Sequence, residues 1–289
     1  MRHPFRAGWI GTLAILAAAG TCRLSAQTDD LAICNRVFSH AFEHRLIDKP
    51  IGDVVVSIGR EFLGAPYEAG TLDRDSPGST ERLIPDLHSF DCVTFIENVL
   101  ALARCVKLNT LSYDAYRHQL ELIRYRGGRI DGYASRLNYF SEWIRDNERK
   151  GIVRQRTATL GGKPVRKPLG FMTSHRKLYP MLASDSTFAA VQRVEHDLSG
   201  DTIVVAPEAA IRSHEPDLAD GDIVAFTTNV KGLDVSHTGI VVVSPSGRRV
   251  LLHAPDAGKV VEVESSDLTA HFSRHPSYTG MMVARPVEP

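Results

Sequence analysis

Three residues that lie far apart in the sequence have the side chains of a thiol-based catalyst. Cys92 follows Asp91 at the start of a segment whose apolar residues recur at helical spacing, so the thiol is predicted to lie at a helix N-terminus. That position favours thiolate over thiol. His237 and His253 lie in two β-rich segments downstream. Cys92 alone is typical of a small buried core residue, but a thiol with two imidazoles indicates nucleophilic catalysis.

The two histidines are placed so that neighbouring strands would bring them together. His237 begins one predicted strand, His253 ends the next, and Pro245-Ser246-Gly247 forms the turn between them. In an antiparallel pair the start of one strand lies beside the end of the other. His237 would then act as general base and acid toward Cys92, while His253 would fix the tautomer of His237.

The remaining pattern predicts an α+β domain. Helical spacing dominates the first hundred residues, and residues 109–199 are mostly helical and are interpreted as an insertion. Short β-rich runs follow, and helices followed by antiparallel strands indicate α+β architecture. The predicted strands are 222–227, 237–244, 249–253, 260–264 and 281–283.

The N-terminus indicates export. Residues 1–26 combine a basic start, an apolar run too short to span a membrane and a small-residue end, which predicts a signal peptide followed by one domain over 27–289. Cys22 offers a lipid-anchored alternative, although Thr21 is a poor residue before such a cysteine. The mature chain would carry 31 Lys+Arg against 34 Asp+Glu, so its charge gives no support to nucleic-acid binding.

Cysteine usage leaves one question open. Cys34, Cys92 and Cys105 remain after residue 26, an odd number for an oxidising compartment. If Cys92 must stay reduced, Cys34 and Cys105 can form a disulfide or remain two buried thiols.

The chain resembles the NlpC-type papain-like cysteine peptidases of bacterial cell walls. The resemblance rests on Leu63-Gly64-Ala65-Pro66-Tyr67, Phe90-Asp91-Cys92 and Ser236-His237-Thr238-Gly239-Ile240-Val241. It implies a papain-like core in which the nucleophile helix packs on an antiparallel sheet, with Cys92 as nucleophile, His237 as base, His253 as orienting residue and Tyr67 at the rim of the site. Val93-Thr94 departs from the Ser-Gly that follows the cysteine in typical members.

A narrower resemblance is to one branch of these enzymes, long described as a domain of unknown function. Its motifs are Asp91-Cys92-Val93-Thr94-Phe95-Ile96-Glu97, Arg136-Leu137-Asn138-Tyr139-Phe140, Phe171-Met172-Thr173-Ser174-His175 and Gly232-Leu233-Asp234-Val235-Ser236-His237. The resemblance implies N-acetylmuramoyl-L-alanine amidase activity on 1,6-anhydromuropeptides, the peptidoglycan fragments released by lytic transglycosylases. We further expect an exported, periplasmic monomer that needs no cofactor and has no stable membrane insertion.

Four further residues are candidates for substrate contact. Arg136, Tyr139 and His175 lie in the predicted insertion, and arginine suits the carboxylates of stem peptides. Each has a structural alternative, since Tyr139 also fits the buried stripe of a helix. Asp234 can support His237 or cap the turn after Gly232.

Other functions remain open at this point. A γ-D-glutamyl-diamino acid endopeptidase would use the same scaffold on a different amide, and a non-catalytic muropeptide-binding module would use it without chemistry. Zinc is a third alternative, because Cys92, His237 and His253 are all possible ligands. The chain has no CxxC and no HExxH spacing, so no metal is predicted.

Overall fold

The computed structural model describes residues 29–73 and 79–289. The predicted signal peptide and Cys22 lie outside these residues. None of the described helices has the length and apolarity that crossing a membrane requires.

Helices pack on both faces of a central sheet. The apolar faces of the long helices turn inward, as amphipathic spacing predicts. The helices are α1 (29–43), α2 (Ile51–Arg60), α3 (Cys92–Lys107), α4 (Tyr113–Arg124), α5 (Phe140–Arg149), α6 (Phe171–Ser174), α7 (Asp185–Gly200), α8 (Glu208–His214) and α9 (Leu268–Ser273).

The strands form an antiparallel sheet of six in the order β1-β8-β4-β5-β6-β7, and β2 pairs with β3 separately. The late β-rich runs of the sequence therefore do form neighbouring strands. The strands are β1 (Val153–Gln155), β2 (Lys163–Arg166), β3 (Thr202–Val205), β4 (Ile223–Thr228), β5 (Val235–Val243), β6 (Arg249–His253), β7 (Glu262–Asp267) and β8 (Tyr278–Pro286).

Both faces of the sheet are covered by helices, and β4, which lies inside the sheet, is accordingly apolar on both sides. Ile223 and Ala225 belong to the large core shared with α2, α3 and α4, whereas Val224 and Phe226 belong to a smaller core closed by α8 and α9. Successive residues of a strand point to opposite faces, so a continuous apolar run indicates a strand buried on both sides. The predicted α+β class with an antiparallel sheet is confirmed.

Residues 109–199, interpreted as an insertion, divide between two cores. Tyr116 of α4 and Trp143 of α5 are completely buried in the main core, and β1 pairs with β8 at the edge of the six-stranded sheet. Other residues of this stretch, among them Met172 and Leu198, form a third core cluster. Helical spacing identified the apolar faces of this stretch but not the surfaces that they cover.

Cys34 and Cys105 contribute to core packing. Both are free thiols with no exposed surface. Of the two alternatives that the sequence left open, the structure has the buried thiols.

Candidate active site

Cys92 is the first residue of α3, and the helix start is rigidly capped. The Asp91 carboxylate accepts hydrogen bonds from the backbone N–H groups of Val93 (3.0 Å) and Thr94 (2.7 Å), and the Thr94 hydroxyl accepts one from the Asp91 N–H (2.9 Å). This reciprocal capping box confirms Asp91 as N-cap and gives Thr94 a role. The Val93-Thr94 pair therefore serves to fix the helix start that carries the thiol.

His237 and His253 are in direct contact, as the strand order predicts. Strands β5 and β6 pair antiparallel from Ile240 opposite Leu252 to Val243 opposite Arg249, so their ends at the two histidines coincide. His237 Nε2 lies 2.7 Å from His253 Nδ1, and both side chains are buried. Because Nε2 of His237 is committed to His253, Nδ1 is the nitrogen that remains for a thiol.

Cys92 meets β5 at the residue next to His237. The Thr238 hydroxyl donates a 2.8 Å hydrogen bond to the Cys92 carbonyl, and it also interacts with the thiol. This contact holds the start of α3 against the strand that carries the histidine. The thiol is turned toward Thr238, so a reaction with His237 requires rotation about the Cys92 side-chain bond.

The groups at this site are neutral at rest. Burial, followed by the neighbouring Asp91 carboxyl, raises the pKa of Cys92 to about 12. Burial and the adjacent imidazoles of His253 and His271 lower the pKa of His237 well below its usual value, and burial lowers that of His253 to about 3. The expectation of a depressed thiol pKa at the helix start is not met, because desolvation disfavours the thiolate more strongly.

Two tyrosines stand beside the thiol. Tyr67, predicted at the rim, is half-buried, and burial together with the nearby Cys92 raises its pKa to about 12. The pKa of Tyr278, at the start of β8, is also raised, first by burial and then by the nearby Cys92. Tyr278 and Thr238 gave no signal in the sequence, because nothing in their local pattern shows that they reach α3.

Two cavities are lined by residues close to these groups. One, of about 430 Å³, is lined by Asp91 and Val93, the residues on either side of Cys92, and extends to Leu137 and Tyr179. The other, of about 370 Å³, is lined by His237 and His253 and is predominantly polar. The two cavities share no lining residue, and Cys92 itself lines neither.

Two of the substrate-contact candidates are occupied by structural partners. Arg136 is 7% exposed and forms ion pairs with Glu81 (2.9 Å) and Asp73 (2.8 Å). Tyr139 is buried, and its hydroxyl donates to Glu195 at 2.6 Å. Both side chains have structural partners, which is the alternative that the sequence left open, and Arg136 in addition lines the cavity beyond Asp91 and Val93.

His175 and Asp234 lie elsewhere. His175 is exposed, stacks on Phe171 and points its Nδ1 at the Phe171 carbonyl. Asp234 is buried and accepts hydrogen bonds from the backbone N–H groups of Ser141 (2.7 Å) and Val235 (2.7 Å). It therefore anchors the start of α5 and makes no hydrogen bond to His237.

Metal ligands are not grouped at this site or elsewhere in the described residues. Across residues 29–73 and 79–289, no three His, Cys, Asp or Glu side chains are grouped so that they could hold a metal ion.

Two further residues of the site, His271 and Glu264, were not predicted from the sequence. They lie behind His253 on α9 and β7 and come together only in the folded chain.

A family model described as AmiA-like, N-acetylmuramoyl-L-alanine amidase-like, matches residues 57–281. A crystal structure of an N-acetylmuramoyl-L-alanine amidase from Bacteroides uniformis ATCC 8492 is similar to this chain with a TM-score of 0.76 and 36% identity, over 82% of this chain and 98% of that one. No curated protein matches the sequence significantly.

Two further solved structures are similar. One, described as a candidate xylanase from Bacteroides fragilis, has a TM-score of 0.71 and 37% identity, over 78% of this chain and 98% of that one. The other, from Legionella pneumophila str. Philadelphia 1, has a TM-score of 0.67 at 16% identity, over 91% and 96%, and shows a shared fold.

Proposed function

Because this chain belongs to the AmiA-like, N-acetylmuramoyl-L-alanine amidase-like family, we propose that it is a cysteine hydrolase of peptidoglycan fragments. The proposed reaction cuts the amide between the lactyl group and L-Ala in 1,6-anhydromuropeptides, with or without an attached glucosamine. The observation that carries the proposal is the buried His237–His253 pair on the strand that Cys92 touches.

The proposed mechanism begins from the neutral pair. The Cys92 thiol turns from Thr238 to His237, and its proton passes to His237 Nδ1 as sulfur attacks the lactyl carbonyl. The resulting oxyanion lies at the start of α3, where the Cys92 backbone N–H and the unpaired donors of the first turn favour negative charge. His253 holds Nε2 of His237 and stabilises the imidazolium that forms.

Collapse of the tetrahedral intermediate breaks the C–N bond. The stem-peptide amine leaves with the proton from His237, and the lactyl group remains as a thioester on Cys92. Water then gives a proton to His237 and attacks the thioester, which releases the sugar as a free carboxylic acid and regenerates the thiol. No cofactor takes part in this proposal.

The direction of the substrate follows from the proton transfer. The leaving amine must lie on the histidine side, so the stem peptide is assigned to the polar cavity lined by His237 and His253. The sugar, which carries the acyl group, is then assigned to the cavity beyond Asp91 and Val93. In the same proposal the core is of the NlpC-type papain-like kind, Tyr67 lies at the rim of the site, and the enzyme is an exported, periplasmic monomer.

Three alternatives differ from the proposed amidase in their catalytic groups, in the bond that is cut or in having no turnover. A glycosidase, as the xylanase name of one neighbour would suggest, uses a pair of carboxylates across the scissile bond, whereas this site has a thiol at the start of α3, which is held against β5, and the imidazole pair of His237 and His253. A γ-D-glutamyl-diamino acid endopeptidase would keep Cys92 and cut a different amide of the stem. A muropeptide-binding module would hold a muropeptide in both cavities without cutting it.

The test is product analysis on one defined anhydromuropeptide. We expect mass spectrometry to find a lactyl-bearing anhydro sugar and a stem peptide beginning with L-Ala, and we expect Cys92→Ala to abolish both products. Cys34→Ala, which removes a buried thiol that lies near Cys105 at the other end of α3 from Cys92, is the matched control and should retain turnover. A sugar product that keeps L-Ala would exclude the amidase, and full turnover by Cys92→Ala would exclude the thiol mechanism.

A further inference from the structure

A third buried imidazole lies behind the proposed catalytic pair. His271, on the short helix α9, is 3% exposed, and its Nδ1 lies 2.6 Å from Glu264 Oε2 on β7. Its ring centroid is 5.6 Å from that of His253 and 5.9 Å from that of His237. The mechanism above gives this imidazole no role.

Two buried ring nitrogens beside the polar cavity have no hydrogen-bond partner in the described part of the chain. They are His271 Nε2 and His253 Nε2, and the latter lies 4.0 Å from Glu262 Oε1, beyond hydrogen-bond distance. Both residues line the cavity of about 370 Å³. A buried polar nitrogen without a partner costs about 1–3 kcal/mol, so two such atoms beside one cavity indicate a group that bonds to both.

The protonation of the imidazoles follows from their fixed partners. Glu264 accepts only, so the proton of neutral His271 is on Nδ1 and its Nε2 is an acceptor. For His237 to serve as base at Nδ1, its Nε2 must donate to His253 Nδ1, which leaves the proton of His253 on Nε2. The two unpartnered nitrogens are therefore one donor and one acceptor, the pair that a hydroxyl group satisfies.

We propose that His271, held by Glu264, is a positioning residue that fixes the tautomers of His253 and His237 through a hydroxyl group between the two Nε2 atoms. This inference rests on the proposed cysteine mechanism. The hydroxyl belongs to a water molecule, which is held there either in the free enzyme or only when the stem peptide is bound. Each group in the chain from Glu264 to Cys92 then donates one hydrogen bond toward Glu264, and His237 Nδ1 is left as the base.

Several other groups face His271 and bear on its charge. Arg274 and His275 follow it on its own segment, and burial with His275 lowers its pKa while Glu264 raises it. The groups from the packed elements are His237 of β5, His253 of β6, Glu264 of β7 and Tyr278 of β8.

The decisive variant is Glu264→Gln. Oε1 of Glu264 accepts hydrogen bonds from Arg274 and from the Ser266 hydroxyl, so the amide oxygen of glutamine must take that place and its NH₂ must face His271. That NH₂ would donate to His271 Nδ1 and move the proton to Nε2. The inversion passes through His253 to His237, whose Nδ1 then carries a proton and cannot act as base.

We expect Glu264→Gln to lower kcat about 10- to 100-fold, the range found when a partner that orients a histidine is lost, with KM unchanged. The matched control is Glu215→Gln, which removes a carboxylate that holds the same helix through Thr269 without touching His271. It should retain kcat. His271→Gln, whose amide can accept at the Nε2 position, should retain more activity than His271→Leu.

The tautomers are read directly by ¹⁵N NMR of the histidine rings. We expect His271 protonated on Nδ1 and His253 on Nε2 in the wild type, and both reversed in Glu264→Gln. If this pattern is present in the free enzyme, the bridging water is resident; if it appears only with the product peptide bound, the peptide holds the water in place. An unchanged kcat and unchanged tautomers in Glu264→Gln would overturn the inference, as would an equal loss in Glu215→Gln. Neither result would affect the outcome for Cys92→Ala.

Discussion

Two buried polar regions lie beside the nucleophile helix, and their charges are arranged in opposite ways. On one side, buried carboxylates are matched by guanidinium groups: Glu97 pairs with Arg124 at 2.7 Å, and Glu81 pairs with Arg136 at 2.9 Å. On the other side, His237, His253 and His271 are buried next to one another, and burial lowers the pKa of each.

The difference separates scaffold from chemistry. A buried ion pair between a carboxylate and a guanidinium matches the two charges inside the scaffold and holds its elements in place. A cluster of neutral imidazoles with unpartnered nitrogens is costly unless those nitrogens bind something. Variants on the first side should therefore change stability, and variants on the second side should change turnover.

The largest expected effect is on turnover. His237→Gln removes the proposed base and should lower kcat about ten-thousandfold, as the loss of one member of a catalytic triad does. Thermal unfolding should change little. A variant that keeps a tenth or more of the wild-type rate would remove His237 from the mechanism and break the comparison at its central residue.

The matching change on the other side is Arg136→Met. It leaves Glu81 and Asp73 without their cation and should cost about 3–5 kcal/mol of unfolding free energy, measured by urea denaturation. The kcat of the folded fraction should stay at the wild-type value. A raised KM with unchanged stability would instead assign Arg136 to substrate binding.

A smaller effect concerns the protonation of the thiol. With a pKa of about 12, Cys92 is almost entirely thiol at neutral pH, so iodoacetamide labelling of the free enzyme should rise about tenfold per pH unit from pH 6 to 9. A labelling plateau at acidic pH that disappears in His237→Gln would show a resting ion pair and contradict this expectation.

The smallest effect is on acid stability. The pKa of His253 is about 3 in the folded chain and about 6.5 when unfolded. The unfolded state therefore binds more protons between these values, and stability falls as pH decreases, by up to about 1.4 kcal/mol per pH unit. His253→Gln lacks this contribution, so its unfolding free energy should fall less steeply from pH 6.5 to 4. Parallel curves for the two proteins would contradict the buried neutral histidine.

Local patterns in the sequence predicted the elements that carry the proposed catalytic residues. Asp91 before an amphipathic run predicted the start of α3, and the turn at Pro245-Ser246-Gly247 predicted the β5–β6 pair that joins His237 to His253. These signals are local because helix caps and hairpin turns are made by residues close in the chain.

Partners from distant segments could not be predicted. Arg136 was a reasonable binding candidate until the structure placed Glu81 and Asp73 around it, and nothing local marks His271 as a neighbour of His253. The thiol pKa was expected to fall because the helix start is visible in the sequence, whereas the burial that raises it depends on the whole fold.

The position of β8 makes completion of the sheet depend on late residues. This strand comes from residues 278–286 yet lies between β1 and β4, and Glu288 just beyond it accepts a hydrogen bond from the backbone N–H of Ile51 at 2.7 Å. A chain that stops before residue 278 leaves the edge strand β1 without its partner and one edge of β4 open. The sheet is therefore completed only when these late residues are in place, whereas β5 and β6, which carry His237 and His253, pair without them.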